Sequence, residues 1–189
     1  AAADHFPVKV VDDLGGEVKV DEKPARIVSM APSITEMLYS LGLGNRIVGV
    51  SNYANYPNQA TQKEKIGSVT EPNIEKIVSL KPDLVLAASI NKMEYVDKLK
   101  KLDIKVAGFS PNSVTETITT INKVGKLTGE TFIAKKVSEK MKNKLSRIKS
   151  LVSEKLEDNQ RPGVFYEIWH DPLTTAGEGT FIDDLIEIA

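Results

Sequence analysis

Cysteine is absent from the 189 residues, which rules out disulfides and thiolate metal sites. That absence suits an oxidising compartment without proving one. A dominant charge sign is missing too. The chain has 25 Lys and Arg against 26 Asp and Glu, a formal −1, so a polyanion such as nucleic acid finds no global attraction. No apolar run reaches the ~18 residues that a membrane-spanning helix requires. Histidine occurs only as His5 and His170, at opposite ends, and the single tryptophan is Trp169. Signatures of catalysis are also lacking: there is no G-x-S-x-G elbow, no phosphate loop and no G-x-G-x-x-G. Gly42-Leu43-Gly44 lacks the third glycine and precedes a strand, so it reads as a helix-to-strand turn. A zinc or manganese site would need about three converging ligands. The loops at Pro32, Tyr53 and Ser89 offer no histidine for one. These absences favour a binding protein over an enzyme.

What remains is a globular balance, 41% hydrophobic and 27% charged, arranged as alternating strands and helices. Two alternating runs around Asp12-Asp13-Leu14-Gly15-Gly16 predict a hairpin that covers a sheet edge. Strands are expected at Ile27–Met30, Ile47–Val50, Leu84–Ala88 and Ile104–Phe109. Ser33-Ile34-Thr35-Glu36 has the spacing of a capping box, and its helix should stop at Gly42. Residues 52–72 form a long polar connection, a length that usually means function or mobility. Asn73 should cap the helix Ile74–Leu80. A further helix, Met93–Leu102, places apolar Met93, Val96, Leu99 and Leu102 three apart. Val114–Leu127 and Thr131–Leu156 are also helical. The latter would be a rod of about 40 Å. After Pro162 come a strand, Val164–Trp169, and an amphipathic helix, Thr180–Ile188. One strand and one helix cannot bury a core of their own.

The polar residues of interest follow strand ends, where open α/β sheets bind ligands. The words found there resemble a known family: Arg26-Ile27-Val28-Ser29, Ala31-Pro32-Ser33-Ile34-Thr35-Glu36, Val48-Gly49-Val50-Ser51-Asn52-Tyr53, Lys81-Pro82-Asp83-Leu84-Val85 and Tyr166-Glu167-Ile168-Trp169-His170-Asp171-Pro172-Leu173. They occur in the order and near the spacing of the substrate-binding proteins of ABC importers for cobalamin, ferric siderophores and haem. Among these the chain is most similar to the cobalamin branch.

The resemblance implies a Rossmann-like N-terminal α/β lobe with a parallel sheet (1–112), a helical linker with one long stiff helix (113–160), and an incomplete second α/β lobe (161–189). The chain would then be a fragment. Its tail would dock on the first lobe or exchange into a domain-swapped dimer. The implied ligand contacts are Pro32, Ser33, Asn52, Tyr53, Val69, Trp169 and His170. Tyr53 takes the position that stacks on the corrin, and Val69 stands where the cobalamin branch often carries tryptophan. Glu75 matches a glutamate that docks on the ABC permease.

No resident cofactor is implied. The ligand would be a macrocycle or chelate, with cobalamin or another corrinoid first. A haem carrier, using Tyr53, Tyr56 or His170 as axial ligand, stays open as an alternative. So does a ferric-siderophore carrier, although Arg26 and Arg46 sit at strand starts, away from the expected cleft. A rival of another class is a coiled-coil module built on Thr131–Leu156.

Overall fold

The computed structural model describes residues 5–156 and 161–189. Residues 1–4 lie outside the described residues, as do the last four residues of the expected linker. The chain divides into two compact units, residues 1–110 with 121–137, and residues 111–120 with 138–189.

The first unit opens with the hairpin β1 (Val8–Val11) and β2 (Glu17–Val20), paired antiparallel from Val8↔Val20 to Val11↔Glu17. Its turn docks on the end of β6 (Val106–Phe109). The Asp13 amide donates to the Gly108 carbonyl at 2.9 Å, and the Gly108 amide donates to buried Asp12 Oδ2 at 3.0 Å. Asp12 Oδ1 also accepts from the Leu14 and Gly16 amides, so one carboxylate shapes the turn and fastens it. The expected edge-covering hairpin is therefore present.

β3 (Ile27–Ser29), β4 (Ile47–Val50), β5 (Leu84–Ala88) and β6 form one parallel sheet in the order β4-β3-β5-β6. Between the strands lie the helices α1 (Pro32–Ser40), α2 (Ile74–Ser79) and α3 (Met93–Lys101). The strands are apolar on both faces because both faces are covered. Val28, Val85, Ala87 and Val106 pack with Ile66, Ile77, Val96 and Leu99 in one cluster. α1 lies against β3, β4 and β5. Side chains of this size contribute about 1.5–3 kcal/mol each when fully buried. Gly49 is required in β4, since an added Cβ would come within 2.7 Å of Leu80 and 2.8 Å of Ile66. Beyond β4, residues 64–66 continue the sheet: the Val50 amide donates to the Glu64 carbonyl, and the Ile66 amide to the Val50 carbonyl.

The helices α4 (Val114–Thr128) and α5 (Thr131–Lys155) follow, each passing from one unit's residues to the other's. In the second unit, Ser113 Oγ accepts from the Glu116 amide at 3.1 Å, while Glu116 accepts from the Asn112 amide at 2.7 Å. The strand expected at Val164–Trp169 is shorter and shifted. It is β7 (Glu167–His170), paired antiparallel with an unforeseen β8 (Leu173–Thr175), because the chain reverses at Asp171-Pro172. α6 (Phe181–Ile188) starts at Thr180, whose side chain accepts from the Asp183 amide. All residues from Arg161 to Thr175 are exposed. No helix among the described residues is long and apolar enough to cross a membrane.

Asp21, just past β2, is held by Lys105 and then Lys19, which lower its pKa from 3.8 to about 2. A depressed carboxylate contributes stability that is fully present above its unfolded pKa and is lost as pH falls through the folded one. Asp21→Asn is therefore expected to lower the urea midpoint modestly at pH 7. The difference should shrink between pH 4 and 2 and vanish below. A gap that stayed constant with pH would contradict this role.

Candidate ligand-binding edge

β3 lies between β4 and β5, so the segments leaving their carboxyl ends emerge side by side. The Ser51 amide donates to the Ser29 carbonyl at 3.2 Å, which joins the tips of β3 and β4. The capping box expected at Ser33–Glu36 does not form. Ala31 is the N-cap, without a side-chain cap bond, and Pro32 occupies the first turn. Proline suits that place because its fixed φ is helical and it has no N–H to satisfy. Ser33 is thereby moved inside the helix, where its hydroxyl is exposed and without a partner among the described residues. Instead, the buried Ser29 and Thr35 hydroxyls meet at 2.8 Å beside the Ala31 carbonyl. With Thr35 N–H bonded to Ala31, the Ser33 and Ile34 amides find no acceptor among the described residues, as is usual for helix-start amides.

The loop after β4 is held from below. The Asn52 amide donates to the Gly67 carbonyl at 2.8 Å, and Asn52 Oδ1 accepts from the Gly67 amide at 3.2 Å. Gly67 has φ +99°, and a Cβ there would strike the Glu71 carbonyl at 2.8 Å, so glycine is needed for this exchange. Lys65 Nζ donates to the carbonyls of Ala54 and Ala60, and burial lowers its pKa. The loop's own carbonyls are thus engaged inward, while the Tyr53 ring is 63% exposed and Tyr56 is exposed beside it in sequence. Ser51 Oγ, at the foot of the loop, is buried with no hydrogen-bond partner among the described residues.

Sequence reasoning missed Asn91, which is buried in the loop between β5 and α3. Its Oδ1 accepts from the Ala88 amide at 2.8 Å. Its Nδ2 donates to the Met30 carbonyl at 3.1 Å and to the Val69 carbonyl at 2.7 Å. Val69 thus meets the edge through its backbone, with its side chain half-buried. Asn91 left no signal in the sequence beyond a small polar residue after a strand, since two of its partners lie 61 and 22 residues away. Of the apolar row read on α3, Val96 and Leu99 are buried, while Met93 is 47% and Leu102 53% exposed. Ile90 is exposed as well.

Pro32, Ser33, Asn52, Tyr53 and Val69 therefore share one edge of the first unit. Arg26 and Arg46 are at its other end. Arg26 donates to the Leu80 and Lys81 carbonyls, and Arg46 to the Thr128 carbonyl and Glu130. Glu75 is exposed in the first turn of α2, where Asn73 is the cap and accepts from the Lys76 amide at 2.8 Å. Trp169 and His170 belong to the second unit. There Trp169 Nε1 donates to the Asp171 carbonyl, and the two rings lie 5.2 Å apart.

Comparison with known proteins adds four findings. Residues 27–189 match the family described as periplasmic binding protein. The chain is 34% identical over 188 residues to an uncharacterized ABC transporter substrate-binding lipoprotein, YvrC, of Bacillus subtilis, covering 97% of this chain and 59% of that protein. It is 31% identical over 187 residues to a cobalamin-binding protein of Halobacterium salinarum, covering 97% of this chain and 50% of the other. The crystal structure of the periplasmic vitamin B12 binding protein BtuF of Vibrio cholerae superposes with a TM-score of 0.79 at 28% identity, over 88% of this chain and 64% of that one. The chain thus spans about half to three fifths of the curated relatives' length.

Lys65→Met removes the donor shared by two loop carbonyls, each bond being worth about 1 kcal/mol. Chymotryptic cleavage after Tyr53 should accelerate severalfold while far-UV circular dichroism stays unchanged. Equal cleavage rates would show that Lys65 does not hold the loop.

Proposed function

From the premise that this chain belongs to the periplasmic binding protein family, we propose that it captures a corrinoid outside the cytoplasmic membrane and hands it to an ABC importer. The observation that carries this reading is the exposed Tyr53 ring, mounted on an internally bonded loop beside the open Ser33 and Ile34 amides. A corrin has a wide apolar face and a rim of amides. An aromatic side chain suits the face, and free N–H groups and hydroxyls suit the rim. Both arginines of the first unit's strand starts are engaged elsewhere, which weighs against a strongly anionic ferric chelate. The names of the cobalamin-binding relatives point the same way.

Capture and release are the whole activity in this reading, and no bond is made or broken. Glu75 supplies the docking carboxylate toward the permease. Its place in a helix's first turn also carries a local benefit of about 0.3–1 kcal/mol, so its exposure is compatible with both roles.

Cyanocobalamin titrated into the full-length protein should bind, and Tyr53→Ala should weaken that binding about tenfold, the equivalent of ~1.4 kcal/mol. Unchanged affinity would discard the stacking role. Binding of haemin with no binding of cyanocobalamin, read by absorbance, would overturn the corrinoid assignment.

A further inference from the structure

In a doubly wound sheet the ligand crevice opens where successive strands leave in opposite directions. Here that point lies between β3 and β5, because β4 was laid on one side of β3 and β5 on the other. The crevice is not empty. Asn91 fills it, with its carboxamide bonded across to Met30 at the tip of β3, back to Ala88 in β5, and sideways to Val69. Both Nδ2 hydrogens are used on carbonyls and Oδ1 on an amide. This pattern fixes the orientation of the group and can be met only by a carboxamide. The Val69 segment is bonded in turn, through Gly67, to Asn52, the residue before Tyr53. One side chain thereby links the loops leaving all three strands. Near Asn91 in the chain, Ile90 on its loop and Met93 at the start of α3 are exposed and apolar.

We infer that Asn91 is the positioning residue of the ligand edge. It closes the deep crevice and fixes the rim on which Tyr53, Ile90 and Met93 present an apolar surface, so the ligand rests across the loop tips and is selected by the breadth of its apolar face. This rests on the carrier reading above. Asn91 itself touches no ligand and acts through the loops that it joins.

The test uses the full-length protein with Asn91→Ala, Asn91→Asp and a control, Arg46→Met. Arg46 also donates to three partners, Pro24, Thr128 and Glu130, and it stands before β4 at the amino-terminal end of the sheet, opposite the rim. Asn91→Asp keeps size and acceptor but turns an oxygen toward two carbonyls. Urea midpoints, cyanocobalamin affinity and amide hydrogen exchange are measured for each. Both Asn91 variants are expected to exchange faster over residues 67–70 and 88–92 and to bind at least about tenfold more weakly, since the rim must then be ordered on binding. Arg46→Met, though destabilised, should keep its affinity within about twofold. Unchanged exchange over 67–70 would overturn the linkage. An affinity loss that merely tracked stability, equal in Arg46→Met, would overturn the positioning role. Failure of the parent to bind cyanocobalamin would instead overturn the carrier reading, while the exchange comparison still decides whether Asn91 fixes the rim.

Discussion

The first unit's upper edge depends on one buried carboxamide. Three loops leave a parallel sheet at neighbouring points, and loops of this kind are ordinarily the least fixed part of an α/β domain. Asn91 opposes that tendency with three hydrogen bonds in a site nearly closed to water. Removing one partner of a buried pair leaves the other unsatisfied, at about 1–3 kcal/mol. The cost of disorder is therefore high at this point, and it is shared by every loop connected to it.

The sheet was legible in the sequence because its signals are local. Apolar pairs and triplets bounded by Lys81-Pro82 or Gly42 mark strands and stops regardless of what lies across the fold, and Asn73 caps its helix as its chemistry suggests. The word Ser-x-Thr-Glu misled at Ser33. It recurs at Ser113, which the sequence reading passed over, and only there does the serine bond the amide three residues on. Pro32 makes the difference, since it takes the first helical turn and carries Ser33 past the capping position. The row Met93, Val96, Leu99 and Leu102 is buried only at its middle, because spacing of three drifts around a helix with 3.6 residues per turn. The Asn91 contacts reach across 61 and 22 residues, and those of Lys65 tie a loop to itself across 11 and 5; no periodic pattern announces either.

Charge is arranged along the same axis as the loops. The arginines close the amino-terminal side of the sheet, where Arg26 satisfies the carbonyls that end α2, and Arg46 joins Glu130 and the end of α4. Cations at the carboxyl ends of helices are favoured by the helix dipole. The opposite side carries the exposed Tyr53 ring and Ser33 hydroxyl, with Glu71 and Lys92 exposed on the same loops.

The two borders of the sheet have a consequence for how the chain survives before any ligand arrives. An uncovered outer strand is a template for a second copy, and parallel sheets assemble slowly enough to give such pairing time. Here the Asp12–Asp13 turn is bonded to the end of β6, and residues 64–66 line the far side of β4. Each margin is thus blocked by the chain's own segments at one point, Val50 on β4 and Gly108 on β6, which interrupts the ladder that a neighbour would need.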